Sequence, residues 1–284
     1  MAERILETRG QCTTILGAVN MLSGFISGLS YYEDKTSTLN AKYGVNASVS
    51  PTKIPQLKYF GCGVKGYKNL NTQQGSRRYD PESTNMDLYQ PIPIRCVPLA
   101  EEAEIMTPEV RKSYRLRVVT AGPNGVQYAC YYLKVLTCDP ATVEIIQKDA
   151  DGHETVYTLD PQNLRPTPLN PEEGGVIDTN SGRTIVRATM KVNLYADEIL
   201  EAINNLYDGD VDTYGRISEY GFYTGCEVEV DSSESIVTSG VNKEAVYVQL
   251  AKHVCSCGVD LAAASSFISP AIRFEHADIL NINS

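Results

Sequence analysis

Proline placement constrains this chain more than any other feature. Four prolines crowd into residues 76–99 (Pro81, Pro91, Pro93 and Pro98), and four more into residues 160–182 (Pro161, Pro166, Pro168 and Pro171) beside Gly174, Gly175 and Gly182. Proline lacks a backbone donor and pushes the residue before it into extended geometry, so neither stretch sustains a regular element. QPIPIRCVP therefore reads as an arm laid on a surface, a neighbouring subunit's included, and the second stretch as a linker or arm. The division that follows is a β-rich domain over 1–160 with an extended Pro-rich segment near 76–99, a linker or arm over 161–182, and a smaller α+β domain over 183–284.

Between these breaks the chain alternates like strands. YRLRVV (114–119) and VQYACYYLKVL (126–136) flank AGPNG, whose Asn-Gly is a strong hairpin signal, and TVEIIQK (142–148) and ETVYTL (154–159) flank DADGH. RTIVRATMKVNLY (183–195), EYGFYTGCEVEV (219–230) and EAVYVQLAKHVC (244–255) read as strands, and 267–282 can add an edge strand. Thr107-Pro108-Glu109 starts a short helix. The substantial helix is DEILEAINNLY (197–207). Its Ile199, Leu200, Ile203, Leu206 and Tyr207 share one face, acids occupy its first turn, and Gly209 follows its end. The fold class is mainly β with one substantial α-helix (α+β), as β-sandwich or barrel-like domains with extended Pro-rich arms.

Charge narrows function. Over 284 residues, acids exceed bases by 35 − 25 = 10, a balance that argues against nucleic acid as a partner. The uncharged run from Cys12 to Leu29 is too polar to cross a membrane, with Thr13, Thr14, Asn20, Ser23 and Ser27 inside it, and its glycines favour a strand. Glu3 and Glu7 spoil it as a signal peptide. Eighteen tyrosines and no tryptophan supply large contact area with polar tips.

Four patterns carry chemistry on paper. Gly61-Cys62-Gly63-Val64-Lys65-Gly66 matches G-x-G-x-x-G, but YKNLNTQQGSRR after it has no helical stripe, so it reads as a glycine-rich turn or bulged strand rather than a dinucleotide site. Asp208, Asp210, Asp212 and Glu219 stand at positions 1, 3, 5 and 12 of a calcium loop, against which Thr213 replaces the usual glycine and Arg216 the ninth ligand. His253, Cys255 and Cys257 alternate onto one face of a strand, where they offer zinc ligands without an identifiable fourth. Of the eight cysteines, Cys12, Cys62, Cys96 and Cys226 are the candidates for bridges between elements or subunits, with free thiols as the alternative. Cys130 and Cys138 would lie ~26 Å apart on one strand at ~3.3 Å per residue, so they do not pair without a turn. Arg111, Lys112, Arg115 and Arg117 form a basic cluster that reads as a solvated face or subunit contact, and Arg77 with Arg78 a second. Serine-hydrolase, zincin and P-loop signatures are absent from the sequence.

NMDLYQPIPIRCVPL (85–99), the YRLRVV and YACYYLKVL runs, ISEYGFYTG (217–225) and EAVYVQLAKHV (244–254) resemble phrases in virion structural proteins of contractile-tailed bacteriophages. That resemblance covers about a third of the chain. It implies a non-enzymatic component of the neck, tail or baseplate with no cofactor, assembled in the host cytoplasm into the virion through contacts with itself and other virion proteins. The cysteine content departs from the pattern and implies disulfides that tie the particle together after release. Two rival classes remain: an adhesin or carbohydrate-binding module using calcium at Asp208 to Glu219, and a hydrolase with an unrecognised carboxylate pair.

Overall fold

The computed structural model describes residues 4–5, 11–14, 42–44, 55–69, 76–136, 143–149, 151–157, 183–230, 242–261, 267–268 and 270–280. The run from 15 to 29 and the second Pro-rich stretch, 161–182, lie outside them. The strands are β1 (Arg4–Ile5), β2 (Gln11–Thr13), β3 (Gln56–Gly63), β4 (Tyr67–Asn69), β5 (Ser76–Arg78), β6 (Pro91–Ile92), β7 (Arg95–Pro98), β8 (Tyr114–Ala121), β9 (Gln127–Val135), β10 (Val143–Lys148), β11 (Glu154–Tyr157), β12 (Arg183–Lys191), β13 (Leu194–Tyr195), β14 (Arg216–Val230), β15 (Asn242–Asp260), β16 (Phe267–Ile268) and β17 (Pro270–Leu280). The helices are α1 (Glu102–Ile105), α2 (Pro108–Arg111), α3 (Ala196–Leu206) and α4 (Val211–Tyr214). The chain is thus mostly antiparallel β with few helices.

The domains are not laid out as the prolines suggest. One compact unit combines residues 1–136 with 192–270, the other 137–191 with 271–284. Strand pairing gives the reason. β14 and β15, from beyond the second Pro-rich stretch, share a sheet with β3 and β9 from before it, in the order β2–β15–β14–β3–β9–β7, with β6 beside β3 and β8 beside β9. In the second unit β17, β12, β10 and β11 lie side by side; β10 and β11 form the DADGH hairpin, paired from Lys148↔Glu154 to Ile145↔Tyr157.

Within the first unit the Asn-Gly hairpin forms as its sequence requires. Ala121 pairs with Gln127, and Gly125 takes φ +77° in the turn, a left-handed geometry that costs glycine little. Helix α3 starts one residue before the predicted span and ends one residue early, burying Ile199, Ala202 and Ile203. Helix α2 begins at Pro108, although Thr107 makes no side-chain cap. The segment 76–99 is not a free arm. Its β6 pairs with β3, its β7 with β9, and Leu88, Ile92, Ile94, Cys96 and Val97 are buried against the same chain. Alternate apolar residues between the prolines gave it an inner face that covers the sheet at home.

Tyrosine builds much of this interior. Tyr59, Tyr131, Tyr220 and Tyr223 are fully buried, and each hydroxyl finds an acceptor: Cys226 O, Glu102 Oε1, Ile217 O and Asp87 Oδ1 respectively. Burial with the tip satisfied keeps the apolar gain of a large ring without an orphaned O–H. The basic cluster is also internal. Arg111 pairs with Glu244 at 3.0 Å, Arg115 with Glu227 at 2.6 Å and Arg117 with Glu102 at 2.5 Å. Only Lys112 of the four is exposed.

Candidate functional site: a buried carboxylate held by a glycine-rich turn

Glu219 sits near the start of β14, facing Gly63 of β3 on one side and Cys255 of β15 on the other. It is fully buried. Its Oε2 accepts from the backbone N–H of Lys65 at 2.9 Å and of Gln90 at 3.0 Å; its Oε1 accepts from Tyr89 N–H at 2.7 Å and lies 3.1 Å from His253 Nε2. Burial alone would raise this carboxyl, but the His253 bond and the three backbone donors outweigh it and hold the group below the usual glutamate range.

The glycine motif explains how the donors reach it. A Cβ on Gly63 would stand 2.5 Å from Gln90 O and 2.8 Å from Glu219 Oε2, and one on Gly66 would stand 2.0 Å from Ser218 O. Side chains are missing where backbone and carboxylate must meet, so Lys65 N–H turns onto Glu219 and Gly66 N–H onto Ser218 Oγ at 2.9 Å. One N–H of the motif, that of Lys65, thus joins the Tyr89 and Gln90 N–H groups on a carboxylate from the same chain, while Val64 N–H goes to Gln90 O. The glycine-rich-turn reading therefore holds.

His253 extends the network. Asn85 Nδ2 lies 3.1 Å from His253 Nδ1, which leaves Nε2 to carry the proton donated to Glu219. Cys255 Sγ lies 3.6 Å from the same Nε2, and burial pushes its thiol up to about 12. A thiol raised by burial is a poor nucleophile, so the Cys–His contact does not arm it. Above these groups, the segment from Tyr79 to Gln90 forms a cover. The Tyr89 ring lies 5.0 Å from the His253 ring and 6.0 Å from that of Tyr79, and Leu88 is buried beneath.

Neither ligand set that spacing offered, against the departures noted above, is brought together as such among the described residues. Val211–Tyr214 is a helical turn capped by Asp210, whose Oδ1 accepts from Thr213 N–H at 3.0 Å, so the residues after Asp208 are built as a capped turn. Strand β14 then carries Glu219 into the cradle just described, and among the described residues Asp208, Asp210, Asp212 and Glu219 form no ligand group. The row His253–Cys255–Cys257 also breaks. Between the pairs Ile217↔Val259 and Glu219↔Cys255, two steps on β14 are matched by four on β15, and this bulge turns Cys257 out to solvent. Glu219, His253 and Cys255 come together instead, all three buried. Only a cross-strand register, which spacing along one strand cannot supply, would have placed Glu219 beside them. A second group, Asp149, Asp151 and His153, is exposed on the hairpin turn of the other unit.

The disulfide candidates Cys62, Cys96 and Cys226 are buried and none is in a disulfide, while the side chain of Cys12 lies outside the described residues. The strands separate them: Cys62 faces Tyr220 and Ile92, Cys226 faces Val246, and Cys96 faces Cys130. Cys96 and Cys130 meet as thiols with sulfurs 3.1 Å apart, a partnership that sequence spacing did not suggest.

No curated protein and no solved structure matches the chain. The model of a family of unknown function, DUF7208, matches residues 2–273, and the chain belongs to that family.

Proposed function

We propose that the chain is a non-enzymatic structural component of a tailed-phage virion, in the neck, tail or baseplate, that assembles by contacts with its own copies and with neighbouring virion proteins. One observation carries the reading. The 79–90 segment presents Tyr79, Met86 and Tyr89 at 38%, 45% and 42% exposure while it is tied down from below by Glu219 and Leu88. Large side chains held outward on an anchored backbone lose little entropy when a protein face covers them, and aromatic and methionine residues are enriched at such faces.

The disposition of the acids supports the same reading. Glu102, Glu219 and Glu244, the buried glutamates among the described residues, each hold the chain's own donors. Strands of 15 and 19 residues, β14 and β15, suit a sandwich- or barrel-like body that serves as a building block. The resemblance of 85–99 and 217–225 to virion proteins agrees with it.

The mass in solution by light scattering, with and without reductant, tests it. A discrete oligomer that falls to monomer in a Tyr79→Ser/Tyr89→Ser variant is expected. A monomer that binds glycans through the same two rings would contradict it and favour the adhesin or carbohydrate-binding module. That rival draws on the Tyr79–Tyr89 pair but loses its calcium loop to the helical turn after Asp210.

A further inference from the structure

Three glutamates are buried among the described residues, and two of them face an arginine: Glu102 faces Arg117 and Glu244 faces Arg111. Glu219 faces a histidine. Asn85 Nδ2 meets Nδ1 of that ring and Glu219 Oε1 meets Nε2, so among the described residues this carboxylate is held by backbone N–H groups and an imidazole, where the other two are held by guanidinium groups. A buried carboxylate, an imidazole nitrogen and a thiol sulfur within 4.8 Å of one another are the donor set of a borderline-soft divalent ion.

We propose that Glu219 Oε1, His253 Nε2 and Cys255 Sγ bind one zinc-class divalent ion, as a structural centre that pins the 79–90 segment to the β14–β15 pair. The edges fit. Bond lengths of about 2.3 Å to sulfur and about 2.0–2.1 Å to nitrogen and oxygen set tetrahedral edges of about 3.5 Å between S and N and about 3.4 Å between N and O. The observed separations are 3.6 Å and 3.1 Å.

The exchange balances. The ion displaces the Cys255 thiol proton, which leaves to solvent. The His253 proton moves from Nε2 to Nδ1, and the Asn85 amide turns over so that Oδ1 accepts it, the outer-shell support that metal-bound histidines use. Glu219 Oε1 keeps its bond from Tyr89 N–H on one lone pair and offers the other. A carboxylate and a thiolate then stand against the ion's +2, which leaves the loaded centre neutral. Three protein ligands leave the fourth position to a water. The centre lies inside the first unit and goes beyond the assembly reading, which holds or fails without it.

The test uses the full-length protein loaded with Co2+ under reductant, beside Zn2+ and elemental analysis. One equivalent of metal, a thiolate-to-cobalt charge-transfer band, and zinc X-ray absorption showing one sulfur at about 2.3 Å with nitrogen and oxygen neighbours are expected. The band should vanish in Cys255→Ser and persist in Cys257→Ser. The exposed Asp149–Asp151–His153 turn offers no sulfur, so an ion held there gives a shell of nitrogen and oxygen alone. That result overturns the proposal, as does a band lost in Cys257→Ser or metal well below one equivalent. Should Cys255→Ser not fold, the wild-type shell and the Cys257→Ser band decide alone.

Discussion

Glu219 on β14 and Glu244 on β15 solve one problem in two ways. Each accepts from three backbone N–H groups: Glu219 takes those of Lys65, Tyr89 and Gln90, and Glu244 those of Leu116, Arg117 and Ala245. Around Glu219 the backbone is admitted by glycines, and the place that an arginine takes elsewhere belongs to the His253 ring. Around Glu244 it is admitted by Leu116 in a left-handed conformation, φ +58°, and the cation is Arg111, which never deprotonates. The difference separates a closed structural lock from one whose proton an ion can replace. An arginine fills the place that a metal charge would take, whereas an imidazole is itself a metal ligand.

The largest effect separates the two counter-ions. Glu244→Gln strands a buried Arg111 and should cost about 4 kcal/mol, whereas Glu219→Gln in metal-free protein leaves an imidazole facing an amide and should cost about 2 kcal/mol. Urea midpoints measure both, and equal losses would erase the distinction. The two backbone solutions come next. Gly66→Ala places a methyl 2.0 Å from Ser218 O and should cost about 3 kcal/mol. Leu116→Gly trades a buried side chain of about 3 kcal/mol for about 1 kcal/mol of released strain, a net loss of about 2 kcal/mol; a larger net loss would mean the left-handed turn stores little.

Acid gives a smaller, graded effect. Burial raises Glu102, but bonds from Arg117 and Tyr131 more than offset it and hold the carboxyl below its usual range. A depressed folded value contributes stability that is complete above the unfolded value of about 4.3 and is lost as pH falls through the folded one. Thermal unfolding of the parent should therefore weaken below about pH 4, with a flatter acid limb in Glu102→Gln. The smallest effect is none. Calcium should leave the melting temperature unchanged, since Asp208, Asp210 and Asp212 are separated from Glu219; a rise would restore the calcium loop.

Local features were legible wherever a short-range rule decides them. The hairpins around Gly125 and Gly152, helix α3 and the failed dinucleotide motif follow from turn chemistry, periodicity and the missing helical stripe. What was not legible depends on register between distant strands. Glu219 meets His253 and Cys255 because a bulge in β15 shifts the pairing by two residues, and Cys96 meets Cys130 because β7 lies on β9. Long-range pairing also joined β14 to β3 across the expected domain boundary. The prolines of 76–99 announced extended chain correctly, but not that Ile92, Ile94 and Val97 would bury it at home.

The account rests on Glu219 holding the glycine turn and the 79–90 segment to the sheet. Amide hydrogen exchange at Lys65, Tyr89 and Gln90 tests this most directly. Slow exchange is predicted in the parent protein, with protection lost at all three in Glu219→Gln while the Leu116 and Arg117 amides on Glu244 keep theirs. Fast exchange in the parent, or protection indifferent to Glu219, would contradict it.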